Sequence, residues 1–404
     1  MIKRIAEQVL SNILQSNKAV IILGARQVGK TTLIQRALPA ADTAYLNLDI
    51  EVDKARLIAL SSLPPQQAVD ALTFGKSILV IDEAQRWEGV GRLVKGWVDS
   101  RIAVQVILLG SSSLDLLDKS AESLTGRNEK IYLPPLLFGE VLTYQSWYLP
   151  TLTPRELHTH FAMQVRALVN EHLVFGLYPE AVTTSRKRAY LLNLAHDYVL
   201  KDVFQAGLTR SPETLRKLLH LLAYQIGKEV SLSELAANLG IARATVERYL
   251  QLLEDSFVIF RLSAYSRNLR NEIAKSVKYY FWDVGIRNAL VNQFDTDPKR
   301  ADSGALWENF VVAEFAKTNA LAGWTRNLYF WRTTDQSEVD LVVQEDADVI
   351  GYEMKLNPPR DRRIRARSFR ESYRTTVEVI HSENFLEYIP GFAHPASQVS
   401  THGR

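Results

Sequence analysis

Residues 20–38, "VIILGARQVGKTTLIQRAL", decide the fold. The run "AVIIL" is β-branched and apolar, as a buried strand is, and "TLIQRAL" reads as a helix. Between them stands Gly24-x-x-x-x-Gly29-Lys30-Thr31. The glycines let the backbone turn tightly, so that successive N–H groups, through Gln27 and Val28 to Gly29, face a phosphate. The helix N-terminus, with Thr32 in its first turn, adds a partial positive charge. Lys30 would reach the terminal phosphates of ATP, and the Thr31 hydroxyl would hold Mg²⁺. The plainer alternative is a glycine turn between a strand and a helix.

An independent signal lies downstream. "KSILVIDEAQRW" is a second buried strand, residues 78–81, ending in Asp82-Glu83. Carboxylates at strand ends are where a parallel nucleotide-binding sheet meets its ligand. Asp82 would bind Mg²⁺ through water, and Glu83 would orient or deprotonate the attacking water. A third strand, "VQVILLGSS", puts Ser111 at its end, suited to sensing a γ-phosphate or to an ordinary turn. Arg127, in "SLTGRNEKIYL", would supply charge to a neighbouring subunit's transition state in a homo-oligomer, a ring or a dimer; the alternative is a surface arginine.

Composition narrows the remaining classes. A chain of 404 residues, 47% apolar and 23% charged, is that of a globular protein of several domains. No apolar run approaches the ~20 residues of a membrane helix, and charges break up "MIKRIAEQVLSNILQ", which reads as an amphipathic helix and not a signal peptide. No membrane partner and a cytoplasmic location are expected. There is no cysteine, and the eight histidines show no metal-binding spacing. A net charge of +3 permits nucleic-acid binding without arguing for it.

Beyond the first domain, "YLPTLTPREL" reads as a linker and two helical segments follow. "VSLSELAANLGIARATVERYLQLLEDSFVIFRL" reads as a capped helix ended by Gly240, a short turn, a second helix and a strand, with "KYYFWD" completing a hairpin. That order is the winged-helix arrangement. Arg243 and Arg248 stand where a recognition helix meets DNA, although Glu247, Glu254 and Asp255 weaken the basic face. Winged helices also dock proteins.

"EVDLVV" and "VIGYEMKL" read as paired strands, which would bring Asp340 near Glu353 and put Lys355 on the Glu353 side. Two carboxylates and a lysine on one face suit Mg²⁺-dependent phosphodiester cleavage. The arginines of "PPRDRRIRARSFRESYR", at 360, 362, 363, 365, 367 and 370, form the most basic window of the chain. Arg360, Arg362, Arg363, Arg365 and Arg367 would contact a nucleic-acid backbone; the alternative is a solvated charged segment.

Together "ILGARQVGKTTL", "YLNLD", "ILVIDEAQ", "LLGSSSLDLL", "SLTGR" and "LPPLLFGEVL", in that order, resemble the AAA-type P-loop ATPases of a bacterial and archaeal family. "FGLYPEAV", "YVLKDVF", "GALWENFVVAEF" and "SEVDLVV…YEMKL" extend the likeness over nearly the whole chain. The resemblance implies an Mg-ATPase with a C-terminal domain similar to PD-(D/E)XK nucleases. There Asp340 and Glu353 would be metal ligands, Lys355 an electrophile or water activator, and Glu308 the upstream helical glutamate. The expected fold is a multidomain α/β chain: a P-loop NTPase parallel sheet at 1–145, a helical lid at 155–208, a winged helix at 209–290 and a PD-(D/E)XK-like domain at 300–390. Two functions follow. One is an ATPase that binds, remodels or cuts DNA. The other is a nucleotide-controlled switch whose C-terminal domain binds a protein.

Overall fold

Five short strands come first: β1 (Ala19–Leu23), β2 (Thr43–Asn47), β3 (Ile78–Asp82), β4 (Gln105–Gly110) and β5 (Asn128–Tyr132). They form one all-parallel sheet in the order β2-β3-β4-β1-β5. The computed structural model describes residues 2–16, 18–111, 124–205, 211–266, 276–297, 299–333, 337–359 and 366–389, with backbone alone over 197–205.

Parallel strands need crossover connections, and the helices Lys30–Ala37, Glu51–Leu60, Pro65–Thr73 and Val90–Asp99 lie within them. A central strand of a sheet covered on both faces is buried on both sides, which is why all five residues of β1 are buried and its sequence shows no alternation. Ile21, Leu23, Leu46, Leu79, Ile81, Trp97 and Leu108 share one core cluster. From β1 the chain crosses to β2 at one edge, and from β4 to β5 at the other. The strand order therefore reverses between β1 and β4, and a crevice opens beyond their carboxyl ends.

The chain divides into two compact units. The P-loop unit holds Lys3–Pro134 with Asp255–Phe257; the second holds Pro135–Glu254 and Val258–Arg404 with the first two residues. The chain passes between them at Pro134 and Pro135. Phe138 accounts for this, since its ring packs in the second unit against Phe310 and Phe385, at 5.8 and 5.0 Å between centroids.

The second unit is built on a mixed sheet of seven strands: β6 (Glu229–Val230), β7 (Ile259–Ala264), β8 (Val277–Phe281), β9 (Asn327–Arg332), β10 (Glu338–Glu345), β11 (Asp348–Met354) and β12 (Val377–Ile380). Their order is β12-β11-β10-β9-β7-β8-β6. Strand β7 pairs antiparallel with β8 and parallel with β9. The strands following the helix pair at 232–255 and those carrying Asp340 and Glu353 thus share one sheet.

Helix Leu232–Leu239 starts where the Ser231 hydroxyl accepts the Glu234 amide at 3.3 Å, and it ends at Gly240, whose φ of 64° suits a residue without Cβ. Helix Arg243–Asp255 follows. Helix Ser303–Leu321 is buried on all sides. Among the described residues no helix is long and apolar enough to cross a membrane.

Candidate functional site

The loop after β1 is shaped by three backbone features. A Cβ on Gly24 would lie 2.2 Å from the Leu133 carbonyl oxygen, so only glycine fits beneath the end of β5. Gln27 and Gly29 both take left-handed conformations, φ 59° and 95°, which curl the loop and turn its N–H groups inward. Helix Lys30–Ala37 then begins at Gly29 without a side-chain cap, its N-terminus directed at the loop that precedes it. Lys30 is buried and folds back over the loop, its Nζ donating to the Gly24 and Ala25 carbonyls at 2.8 and 2.9 Å.

Asp82 ends β3 beside this loop and is buried. The Thr31 hydroxyl donates to its Oδ2 at 3.1 Å, and the Tyr45 hydroxyl donates to the same oxygen. Burial, reinforced by the hydrogen bond to Asp82, holds the Tyr45 phenol above its ordinary value and keeps it a neutral donor. Glu83, half-buried, takes a left-handed backbone conformation, and its amide donates to Asp82 Oδ1 at 2.8 Å. Gln85 Nε2 donates to Glu83 Oε2 at 2.5 Å and to Ser111 Oγ at 2.9 Å. Gln85 therefore ties the end of β3 to the end of β4.

Lys30, Thr31, Asp82, Glu83 and Ser111 lie at the carboxyl edge of one sheet. Thr32 sits in the first turn of the same helix. A hydroxyl and a buried carboxylate meeting above a glycine cradle fit a magnesium nucleotide. Arg127 is placed elsewhere. It precedes β5, whose Asn128 is level with Ala19 at the start of β1, so the length of a strand, roughly 17 Å at about 3.3 Å per residue, separates it from the loop of its own chain. Its guanidinium pairs with Asp99.

Two contributors are absent from the expected set. Arg4 is buried, and its two terminal nitrogens donate to the Val28 and Pro134 carbonyls, each at 2.8 Å. The N-terminal segment thereby clasps the phosphate loop, an arrangement without a local sequence signal. Tyr45 lies in "YLNLD", where alternation shows a strand but not the register that sets Asn47 beside Asp82.

In the second unit Leu341 pairs with Tyr352, so Asp340 and Glu353 occupy adjoining positions of β10 and β11. A bulge opposite β9 falls between Val339 and Val342. Those two valines share a cluster with Trp331 and Phe369, and the extra residue turns Asp340 to the other face. Asp340 Oδ2 accepts the Met354 amide at 2.7 Å. Glu353 is two residues from Gly351, where an added Cβ would abut Phe369 and Val339, so alternation sends Glu353 toward the Phe369 side. Lys355 Nζ lies 3.8 Å from Glu353 Oε2.

Glu308 comes from helix Ser303–Leu321 and accepts from Tyr280 Oη at 2.7 Å and Lys278 Nζ at 3.3 Å. Burial, with the Asp340 charge next in weight, pushes the Glu308 carboxyl up to about 7. Burial raises Asp340 as well. Among the described residues no three acidic or histidine side chains converge to hold a metal ion. Glu308 and Asp340 lie close enough to interact, while Glu353 pairs with Lys355.

Of the arginines expected at nucleic acid, Arg243 pairs with Glu247 at 3.0 Å, Arg248 is exposed with its guanidinium 5.8 Å from the Tyr249 ring centroid, and Arg367 pairs with Glu371 at 2.7 Å. Arg360, Arg362, Arg363 and Arg365 lie outside the described residues.

The parallel sheet, its glycine loop and the Asp82 strand define a P-loop NTPase fold. Residues 16–142 match a family model described as an AAA domain, in keeping with a P-loop ATPase unit. Residues 166–297 and 303–386 match two domains of unknown function, DUF8612 and DUF4143. The chain is similar to an uncharacterized protein of Mycobacterium tuberculosis, 28% identical over 361 residues, covering 87% of this chain and 74% of that one. It is also similar to an uncharacterized protein of Methanocaldococcus jannaschii, 24% identical, with 87% and 78% covered. Among solved structures the Walker-type ATPase of Pyrococcus abyssi shares the fold with a TM-score of 0.50 at 15% identity, covering 72% of this chain and 96% of that one.

Proposed function

We propose that the P-loop unit hydrolyses ATP with Mg²⁺ and that the second unit uses the resulting change of state to bind or remodel DNA. The observation that carries the ATPase half is the meeting of Thr31 Oγ1 and Asp82 Oδ2 at 3.1 Å beside the Lys30-capped loop. In this reading the loop amides from Gln27 to Gly29 and the first turn through Thr32 hold the phosphates, and Lys30 leaves the Gly24 and Ala25 carbonyls to meet their charge. Thr31 and Asp82 would hold the magnesium ion, which supplies charge neutralisation at the phosphates when bound. Glu83 accepts a proton from the attacking water as its oxygen bonds to the γ-phosphorus and the bond to the ADP oxygen breaks. Ser111, linked to Glu83 by Gln85, reports whether the γ-phosphate is present. Arg127 serves a neighbouring copy of the chain, which its distance from its own loop requires of any catalytic role.

DNA is favoured as the client by the arginine window from Arg360 to Arg370. A second reading, a nucleotide-controlled switch with a protein partner, is favoured by the Arg243–Glu247 pair, which neutralises a charge that a phosphate contact needs. Steady-state ATPase measured with added duplex, single-stranded and branched DNA separates the two. Stimulation that fades at high salt supports DNA; indifference to every DNA supports the switch.

A further inference from the structure

Lys278 stands in β8 with its side chain only 1% exposed; its ammonium pairs with two carboxylates and feels the charge of a third, Asp340. Its Nζ lies 2.5 Å from Glu338 Oε1 and 3.3 Å from Glu308 Oε1. The Phe330 ring centroid is 5.3 Å away on a further side. The three acids come from two elements: Glu308 from helix Ser303–Leu321, and Glu338 and Asp340 from the bulged start of β10. A Cβ on Gly227 would lie 3.2 Å from Glu308 Oε1, so glycine there keeps the glutamate close under the backbone.

We propose that Lys278 is the resident cation of this cluster, its ammonium standing where a metal-dependent nuclease of the kind this segment resembles would hold a divalent ion, so that the cluster is a cross-link of the sheet and not a hydrolytic centre. Carboxylates gathered in a buried site need a compensating positive charge. Here it is covalently attached. The ammonium hydrogen-bonds to carboxylate oxygens that a magnesium ion would have to approach to about 2.1 Å, and an octahedral shell leaves no room for a second cation among them. Burial draws the Lys278 ammonium down, but Glu308, Glu338 and Asp340 more than restore it, and its proton is held more firmly than that of a free lysine. By its placement Lys278 ties β8 to β10 and to the helix of Glu308. The second unit then recognises its partner without cutting it.

Manganese titration of the nucleotide-free full chain, followed by electron paramagnetic resonance of the free ion, tests this directly. Wild type and Asp340→Asn should bind the same amount of manganese, because Asp82 is intact in both. Lys278→Met should gain a site about tenfold tighter than any in wild type, and Lys278→Met/Asp340→Asn should lose it. A wild-type site that Asp340→Asn or Glu308→Gln removes would overturn the proposal. Should Lys278→Met fail to fold, the comparison of wild type with Asp340→Asn decides alone.

Discussion

The Thr31 hydroxyl and the Asp82 carboxylate meet at 3.1 Å although 51 residues separate them. The parallel register brings them there. Thr31 lies in the first turn of the helix after β1, Asp82 closes β3, and β4 alone lies between those strands. Groups that hold one ion act as a unit, so their losses should not add. Thr31→Ala and Asp82→Asn should each lower Mg²⁺-dependent ATP turnover about 100-fold or more. The double variant should be no slower than the slower single one; additive losses in steady-state kinetics would assign them separate tasks.

Glu83 is held by the Gln85 amide at 2.5 Å, with Ser111 on the other branch at 2.9 Å. Glu83→Gln should retain ATP binding and lose turnover by about 10²- to 10⁴-fold, the range for a general base. Gln85→Ala should lose less, because it only orients Glu83. Single-turnover assays with enzyme in excess read both; a Gln85→Ala loss equal to that of Glu83→Gln would make the amide a direct participant.

Arg4 clasps the loop through two hydrogen bonds of 2.8 Å from a buried guanidinium. Bonds of that charge-assisted kind contribute about 1.5–3 kcal/mol each. Arg4→Ala should lower the melting temperature of the P-loop unit and raise KM for ATP more than it lowers kcat. Arg4→Lys should recover little, since one ammonium does not reproduce the fork. An unchanged KM in Arg4→Ala would leave the clasp without influence on nucleotide binding.

The local features of the phosphate site were legible because each has a short-range cause. Gly24, Gly29 and Lys30 sit at a junction between strand and helix, and Asp82 follows four apolar residues. Ser231 and Gly240 likewise announce the ends of their helix. The rest depends on contacts between distant segments. Nothing near Arg4 points to Val28 or Pro134, and nothing near Lys278 points to Glu308 or Glu338. Strict alternation misses the bulge at Asp340, because the inserted residue resets the period of β10. Helix Ser303–Leu321 is buried all round, so its apolar pattern has no face to reveal which side meets the sheet.

Acid–base behaviour offers a check on the second unit. Burial and Asp340 raise Glu308 to about 7, so the native state holds this proton at pH values where the unfolded chain has released it. The resulting stabilisation is complete below the unfolded value, about 4.3, and is lost as pH rises through about 7. Burial draws His158 and His172 down to about 4, with the opposite sign. Their stabilisation is present above about 6.5 and lost as pH falls through the folded values. These slopes oppose one another in wild type, so the informative quantity is a difference. Glu308→Gln should gain stability relative to wild type between about pH 5 and about pH 8 in urea unfolding. Parallel profiles would show that Glu308 titrates normally.

The central claim is that the loop from Gly24 to Thr32 binds and turns over a magnesium nucleotide. Phosphate release from ATP by the purified full chain, with and without Mg²⁺, in wild type and Lys30→Ala, tests it most directly. The account predicts Mg²⁺-dependent release that falls about 100-fold or more in Lys30→Ala. Release that is undiminished in Lys30→Ala, or indifferent to Mg²⁺, would contradict it.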